Sequence, residues 1–284
     1  MIHPMLCDKS LPFDDDNYSF EIKWDGERAI LFWDGKTIEI QNRKGAIVTH
    51  KYPEITGLSE RWSCLGYEPA IIDGEIIVLD PATGNSNFGL LAQRSHLEKP
   101  FDIGLRSKKI PVRFMAFDLL SFKGDLTYLP LRTRREMLYG VFKPDPHVFM
   151  WSLPLHKDVN GIYLFNWARR LGLEGIVGKH LESPYCSGKR SAYWKKCKCE
   201  KTKDLTFTSY TVNPAGIRCE TDEGIAVQVA GFNSRVVRKV LDEKGKVVIE
   251  VKYLNETENG RLRMPTFKRL VDVEVEIGKM GVIA

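Results

Sequence analysis

The chain has 284 residues, of which 43% are hydrophobic and 28% charged. This length accommodates two domains, and the composition excludes disordered, collagen-like and coiled-coil proteins. No apolar run of about 18 residues occurs, which excludes a transmembrane helix. The N-terminal segment lacks the basic and apolar regions of a signal peptide, so we expect a cytoplasmic protein without a membrane partner.

Residues 1–202 are predicted to mix strands and helices. Apolar runs indicate strands at Tyr18–Trp24, Ala29–Trp33, Thr37–Gln41, Ala70–Leu79, Val112–Leu120 and Gly175–Lys179. Helical spacing of apolar residues indicates helices at Leu131–Phe142, which carries a basic stripe, and at Asn160–Leu171. Many strands follow one another without a helix between them, so we expect an α+β fold with largely antiparallel sheets.

After about Asp204 the pattern changes to short β-type runs. They lie at Leu205–Val212, Ile217–Thr221, Ile225–Ala230, Val247–Tyr253 and Val271–Ile277, with one short helix near Ser234–Leu241. Five strands in so short a segment favour a small barrel such as an OB-fold. We therefore expect a first domain at residues 1–202 and a C-terminal OB-fold β-barrel at residues 203–284, joined by a polar hinge at Cys199–Asp204.

The net charge is +5, and basic residues concentrate between Ser187 and Lys203. This segment is either a solvated basic loop or a contact for polyphosphate or nucleic acid. The six cysteines form no CxxC pair, and without a secretion signal we expect reduced thiols. The scattered histidines form no metal motif, so a bound metal is expected to be a hard cation on carboxylates.

The most informative string is EIKWDGER, which spans Glu21 to Arg28. Lys23 ends a predicted strand, and Asp25-Gly26 turns the chain. A lysine held there can act as a nucleophile if desolvation and neighbouring cations lower its pKa, because only the neutral amine attacks. These residues alone are equally compatible with an Asp-Gly hairpin that carries a surface lysine.

Six ordered segments together resemble the motifs of the covalent nucleotidyltransferases, the superfamily of ATP-dependent DNA ligases, RNA ligases and mRNA capping enzymes. The segments are Lys23-Trp24-Asp25-Gly26-Glu27-Arg28, Asn42-Arg43-Lys44-Gly45, Asp73-Gly74-Glu75, Phe114-Met115-Ala116-Phe117-Asp118-Leu119-Leu120, Glu174-Gly175-Ile176-Val177-Gly178-Lys179 and Trp194-Lys195-Lys196-Cys197-Lys198. The resemblance implies an antiparallel, ATP-grasp-like nucleotidyltransferase domain followed by the OB domain that these ligases carry.

The resemblance implies that Lys23 becomes covalently linked to AMP from ATP. Lys196 and Lys198 alternate on a strand, so both can face one pocket and hold the α-phosphate, with Lys179 in the same role. Arg28 and Arg43 are expected to bind ribose, the triphosphate or the 5′-phosphate of a nick in forked geometry.

The carboxylates and the aromatic ring receive the remaining expected roles. Glu75 and Glu174 offer hard oxygen ligands for Mg²⁺ or Mn²⁺ and contacts for the ribose hydroxyls. Phe117 offers a flat apolar face for adenine. Glu21 is two residues before the nucleophile on the same strand face, where its carboxylate could accept from the adenine amino group.

The KWDG form of the first motif is most similar to the ligase module of bacterial and archaeal end-joining ligases. The segment from Leu262 to Leu270 resembles the lead into the last ligase motif, with Arg263 and Arg269 as candidates, but the following residues depart from the family's basic ending. Only 22 residues precede Lys23, so we expect no helical DNA-binding domain.

The resemblance implies a monomeric prokaryotic DNA ligase, associated with the nucleoid, that acts on nicked double-stranded DNA. A Ku-type end-binding protein, a primase-like polymerase and a preference for 3′-ribonucleotide ends are further implications. Two alternatives stay open, namely an RNA ligase or capping-type nucleotidyltransferase, and a nucleic-acid-binding module that has lost catalysis.

Overall fold

The computed structural model describes residues 2–154, 160–256 and 260–271. The chain divides into two compact units, Met1–Cys199 and Glu200–Ala284. This division falls within the polar segment that the sequence suggests as a hinge. No helix in the described ranges is long and apolar enough to cross a bilayer.

The first unit combines strands and helices. Its strands are β1 (Leu6–Lys9), β2 (Tyr18–Ile22), β3 (Glu27–Trp33), β4 (Ile38–Asn42), β5 (Ala70–Ile77), β6 (Arg113–Phe122), β7 (Phe149–Trp151), β8 (Gly175–His180) and β9 (Arg190–Lys198). Its helices are α1 (Pro53–Thr56), α2 (Leu58–Cys64), α3 (Phe88–Ser95), α4 (Pro100–Lys109), α5 (Leu131–Val141) and α6 (Gly161–Arg170), with a 3₁₀ turn at Thr49–Lys51.

Two sheets organise this unit. One has the strand order β4-β3-β5-β6-β7, and the other has the order β1-β9-β8-β2. All neighbouring strands in these two orders are antiparallel except the pairs β6–β7 and β1–β9. The predicted mixed and largely antiparallel α+β class is therefore confirmed.

Two parallel edge strands and several short helices were missed by the sequence analysis. β1 and β7 have four and three residues, which is too short for a periodic apolar pattern to show. The predicted helix at Asn160–Leu171 is observed as α6, where the Asn160 side chain caps the first turn and Gly172 follows the helix at a φ of 70°.

Three apolar clusters lie in the described part of the first unit, and one of them packs α6 against the four-stranded sheet. One face of the five-stranded sheet packs against α1, α2, α3 and α5 around Trp33 and Trp62, which are both about 2% exposed. The opposite face contributes Ile30 and Phe117 to a smaller cluster that also contains Trp194 from β9. This smaller cluster therefore joins the two sheets.

The second unit contains its own strands, a helix and a core. The elements are β10 (Lys201–Phe207), β11 (Ser209–Asn213), β12 (Gly216–Glu220), β13 (Ala226–Val229), α7 (Gly231–Lys244), β14 (Val247–Tyr253) and β15 (Thr266–Leu270). They form the sheets β10-β14-β15 and β11-β12-β13 around a shared apolar cluster. Within residues 201–256 and 260–271 no closed barrel is present, so the OB-fold stays a prediction. The predicted strand at Val271–Ile277 lies, beyond Val271, outside the described residues.

Candidate active site

The register of three neighbouring strands brings distant motif residues onto one face of the four-stranded sheet. β8 pairs with β2 on one side and with β9 on the other. Because alternate residues of a strand share a face, three rows of side chains face the same way. The rows are Ser19, Lys179 and Trp194; Glu21, Val177 and Lys196; and Lys23, Gly175 and Lys198. Lys196 and Lys198 lie on one face, in agreement with their alternation on the strand, and Lys23 lies on the same face.

Lys23 lies directly after β2, where its ammonium is bound by Glu174. The Lys23 Nζ is 2.7 Å from Oε2 of Glu174, and the Nζ of Lys198 is 3.3 Å from the other oxygen. The Glu174 side chain is 8% exposed, whereas the two lysines are about a fifth exposed. One carboxylate therefore separates the candidate nucleophile from a candidate phosphate-binding cation.

The pKa of Lys23 is raised by the carboxylates near it. Burial acts to lower the pKa of this amine, but the carboxylates of Glu174 and Glu75 outweigh it, and the pKa lies above its ordinary value. The condition named from the sequence, that desolvation and neighbouring cations lower this pKa, is therefore not met in this arrangement. The nearest charges are acidic, and they hold the ammonium form.

The Asp25-Gly26 turn connects the two sheets and is not a hairpin. β2 belongs to the four-stranded sheet and β3 to the five-stranded sheet, so the turn carries the chain across the site. The backbone N–H of Asp25 donates to Ser86 at 3.0 Å, and the indole of Trp24 donates to Ser152 at 2.8 Å. A Cβ at Gly26 would lie 2.2 Å from the carbonyl oxygen of Ile76, which explains the glycine.

Gly175 sits between the nucleophile and β9, and its replacement offers a test of this packing. Its φ is +147°, and a Cβ would lie 2.1 Å from the carbonyl oxygen of Cys197. We expect Gly175→Ala to lower the free energy of unfolding of the first unit by about 3 kcal/mol, because steric overlap adds to backbone strain. Chemical denaturation followed by tryptophan fluorescence is the measurement, since all six tryptophans precede residue 200.

Gly172→Ala is the matched control for this variant. Gly172 also has a positive φ, of +70°, but a Cβ there would have no heavy atom within 4 Å. Replacing Gly172 should lower the free energy of unfolding by about 1–2 kcal/mol, which is the cost of backbone strain alone. Equal losses of stability in the two variants would show that close packing against β9 is not what requires Gly175.

The five-stranded sheet contributes the opposite wall of the site. Arg28 donates to both oxygens of Asp73, at 2.6 and 2.5 Å, and the hydroxyl of Tyr185 donates to the same carboxylate at 2.6 Å. Burial raises the pKa of the Glu75 carboxyl to about 7, against the opposing effect of Lys23 and Arg28. Arg28 is thus fixed by a fully buried partner, while Glu75 faces the cations of the other sheet.

Phe117, Lys179 and Glu21 form a buried group beside the nucleophile. The Lys179 ammonium lies 3.9 Å from the centroid of the Phe117 ring and 4.3 Å from that of Trp194, and it forms an ion pair with Glu21. Burial lowers the pKa of Lys179 to about 8. In this structure the Lys179 ammonium therefore contacts the Phe117 ring, which is predicted to stack on adenine. Phe117 is only 5% exposed.

The remaining predicted site residues are spread over both units. Burial and nearby cations lower the pKa of Lys196. Arg43 is exposed and directly follows β4. The last residue of β4, Asn42, pairs with Ala29 of β3, which is next to Arg28. The two candidates for the last motif lie in the second unit. Of these, Arg269 is 2.6 Å from Glu250, and Arg263 lies in the loop before β15.

Two carboxylates are available for a metal ion. The described residues contain no group of three or more His, Cys, Asp or Glu side chains able to hold one. Mg²⁺ in nucleotide enzymes is usually bound by one or two carboxylates together with substrate phosphates and water. Glu75 and Glu174 act on each other electrostatically and therefore fit a cation whose remaining ligands come from a nucleotide.

Several residues of this site were not identified from the sequence. Asp73 and Tyr185 fix Arg28, and Val177 lies in the row between Glu21 and Lys196. Arg135 on α5 contacts Glu21. The only signal for it was the basic stripe on a predicted helix, which by itself indicates a solvent-facing surface.

Comparisons with known proteins agree with this arrangement. A family profile described as the ATP dependent DNA ligase domain matches residues 4–198. The SPbeta prophage-derived DNA ligase-like protein LigB of Bacillus subtilis is 28% identical over 94% of this chain and 98% of that protein. DNA ligase C1 of Mycolicibacterium smegmatis is 30% identical over 76% of this chain and 61% of that protein. The multifunctional non-homologous end joining protein LigD of Mycobacterium bovis is 28% identical over 70% of this chain but only 24% of that protein.

Solved structures share the fold. The mycobacterial DNA ligase D complexed with ATP and MES superposes with a TM-score of 0.62 at 23% identity, over 95% of both chains. A Lig E DNA ligase gives a TM-score of 0.66 at 20% identity, over 95% of this chain and all of that one. The fold is therefore that of the nucleotidyltransferase-like ligases. More particularly, the chain belongs to the ATP-dependent DNA ligase domain family, and we conclude that it is a ligase enzyme.

Proposed function

We propose that this ligase seals nicks in double-stranded DNA through an AMP adduct on Lys23. The contact of Lys23 with Glu174, and of Glu174 with Lys198, within the family-matched segment carries the proposal. A lysine at the end of a strand, one counter-charge and a phosphate-binding cation are the groups that attack on a nucleotide α-phosphorus requires.

In the first step the neutral amine of Lys23 attacks the α-phosphorus of ATP. A nitrogen–phosphorus bond forms, the bond to pyrophosphate breaks, and the amine proton is lost along the hydrogen bond to Glu174. Lys196 and Lys198 stabilise the charge on the phosphate oxygens. A Mg²⁺ or Mn²⁺ ion held by Glu75 and Glu174 with the triphosphate would supply further neutralisation of that charge.

The later steps move AMP from protein to DNA. The 5′-phosphate oxygen at the nick attacks the adenylate and releases the Lys23 amine, and the 3′-hydroxyl then displaces AMP to form the phosphodiester. Arg28 and Arg43, together with Lys196 and Lys198 of β9, are proposed to bind the phosphates in these steps. We assign the second unit to the OB-type domain, with Arg263 and Arg269 as its contacts for the pyrophosphate or DNA.

The proposed setting is DNA end joining at the prokaryotic nucleoid. Similarity to the multifunctional non-homologous end joining protein LigD of Mycobacterium bovis supports it, although this chain spans only 24% of that protein. A Ku-type protein and a primase-like polymerase are the partners we propose, and we propose that the chain itself acts as a monomer.

Incubation of the purified protein with α-labelled ATP and magnesium tests the first step. We expect label that survives denaturation and transfers to a nicked duplex, followed by sealing. Label from GTP instead of ATP would support a capping-type enzyme, and sealing of RNA alone would support an RNA ligase. Duplex binding without label would leave only a nucleic-acid-binding module. Comparing nicks with deoxy and ribo 3′ ends tests the end preference.

A further inference from the structure

Arg135 is a buried arginine that connects the two walls of the site. It lies on α5 and is 3% exposed. Its guanidinium donates to Oε2 of Glu21 at 2.6 Å and to the hydroxyl of Ser19 at 2.7 Å, and its Nε donates to the carbonyl oxygen of Phe117 at 3.3 Å. Glu21 and Ser19 lie on β2, whereas Phe117 lies on β6 in the other sheet. One side chain thus fixes both predicted base contacts relative to each other.

The carboxylate of Glu21 retains capacity for a further hydrogen bond. Arg135 contacts one of its oxygens and Lys179 the other. An ionised carboxylate has about four lone-pair sites and can only accept. After these two contacts, it can still accept from a ligand. Such an acceptor matches the 6-amino group of adenine and repels the 6-oxo group of guanine.

We infer that Arg135 is a positioning residue for nucleobase selection, acting through Glu21 and not by touching the nucleotide. Arg135 orients the Glu21 carboxylate towards the 6-position of the base and fixes its position relative to Phe117. The planar guanidinium reaches three acceptors at fixed angles, which a single flexible ammonium does not reproduce. This inference rests on the proposed adenylation of Lys23 and names a determinant of its nucleotide preference.

The neighbouring Arg134 provides a matched control on the same helix. It is fully buried, and it donates to both oxygens of Asp118 at 2.8 and 2.7 Å and to the carbonyl oxygen of Ser183 at 2.9 Å. None of these partners is a predicted base contact. Changes at Arg134 and Arg135 therefore disturb equally buried guanidinium groups with different partners.

The experiment compares rates of covalent labelling with ATP, GTP and purine ribonucleoside triphosphate, which lacks the 6-amino group. For Arg135→Met we expect the preference for ATP over this analogue, as a ratio of kcat/KM values, to fall by about 10- to 100-fold, the worth of one hydrogen bond to a charged group. The loss should be mainly in KM for ATP. Arg135→Lys should lose part of the preference, and Arg134→Lys should keep the wild-type ratio.

An equal fall in rate with all three nucleotides, or an unchanged preference in Arg135→Met, would overturn the inference and leave Arg135 with a purely structural role. Circular dichroism establishes whether each variant folds. If Arg135→Met does not fold, Arg135→Lys decides, and a wild-type preference in that variant overturns the inference. Failure of the proposed function is a separate result, because wild-type protein would then acquire no label from any of the three nucleotides.

Discussion

Replacement of Lys23 with arginine is expected to lower the rate of covalent nucleotide transfer by about 10⁴-fold or more, the scale of removing a catalytic nucleophile. Arginine keeps the positive charge and can still donate to Glu174, which Lys23 contacts at 2.7 Å. A guanidinium is not deprotonated in proteins, so it offers no neutral amine for attack. The loss would therefore report missing chemistry and not a missing ion pair. The measurement is label retained on the denatured protein after incubation with α-labelled ATP.

Lys195→Arg is the matched control for this prediction. Lys195 lies on β9 directly before Lys196 but faces the other side of the sheet, with its Nζ 4.7 Å from the ring centroids of Phe13 and Tyr18. Arginine can keep these cation–π contacts, so labelling should match the wild type. A Lys23→Arg variant that labels as fast as Lys195→Arg would place the adduct on another side chain.

Local patterns in the sequence were sufficient to predict the central strands and the face that carries the site. The alternation in Trp194-Lys195-Lys196-Cys197-Lys198 predicts that Lys196 and Lys198 share a face, and the register with β8 agrees with this. The run around Asp73 predicts a buried strand and is observed as β5. Such features depend on neighbours within a few residues, which a sequence shows directly.

Features that depend on distant partners could not be predicted. The pKa of Lys23 depends on Glu174, which belongs to a distant motif and comes close to Lys23 only through packing. The direction of the pKa shift could therefore not be predicted from the sequence. The Asp25-Gly26 turn has the sequence of a hairpin, and only the pairing of β2 and β3 in different sheets shows that it joins two sheets. In the sequence Arg135 is only part of a basic stripe on a helix, because its acceptors on β2 are more than 100 residues away.

Glu174→Gln is expected to destabilise the first unit and to slow adenylation. Leaving buried charges without a partner costs about 3–5 kcal/mol, and we expect the lower end because Lys23 and Lys198 are 22% and 19% exposed. Two opposing effects act on the rate. Loss of the carboxylate lowers the pKa of Lys23 and favours the neutral amine, but it also removes a proposed metal ligand and the proposed acceptor of the amine proton. Since metal stabilisation of developing charge is worth several kcal/mol, we expect a net fall of about 100-fold or more.

Labelling rates over a series of magnesium concentrations separate these two effects. A lost ligand should raise the magnesium concentration needed for half-maximal rate, and denaturation followed by tryptophan fluorescence reports the stability. Glu182→Gln is the control, because Glu182 pairs with Arg132 at 3.1 Å while both side chains are about half exposed. That exposed pair should contribute no more than about 1 kcal/mol, and labelling should be unchanged. Faster labelling of Glu174→Gln than of wild type at neutral pH would contradict the metal role and show that Glu174 mainly restrains the amine.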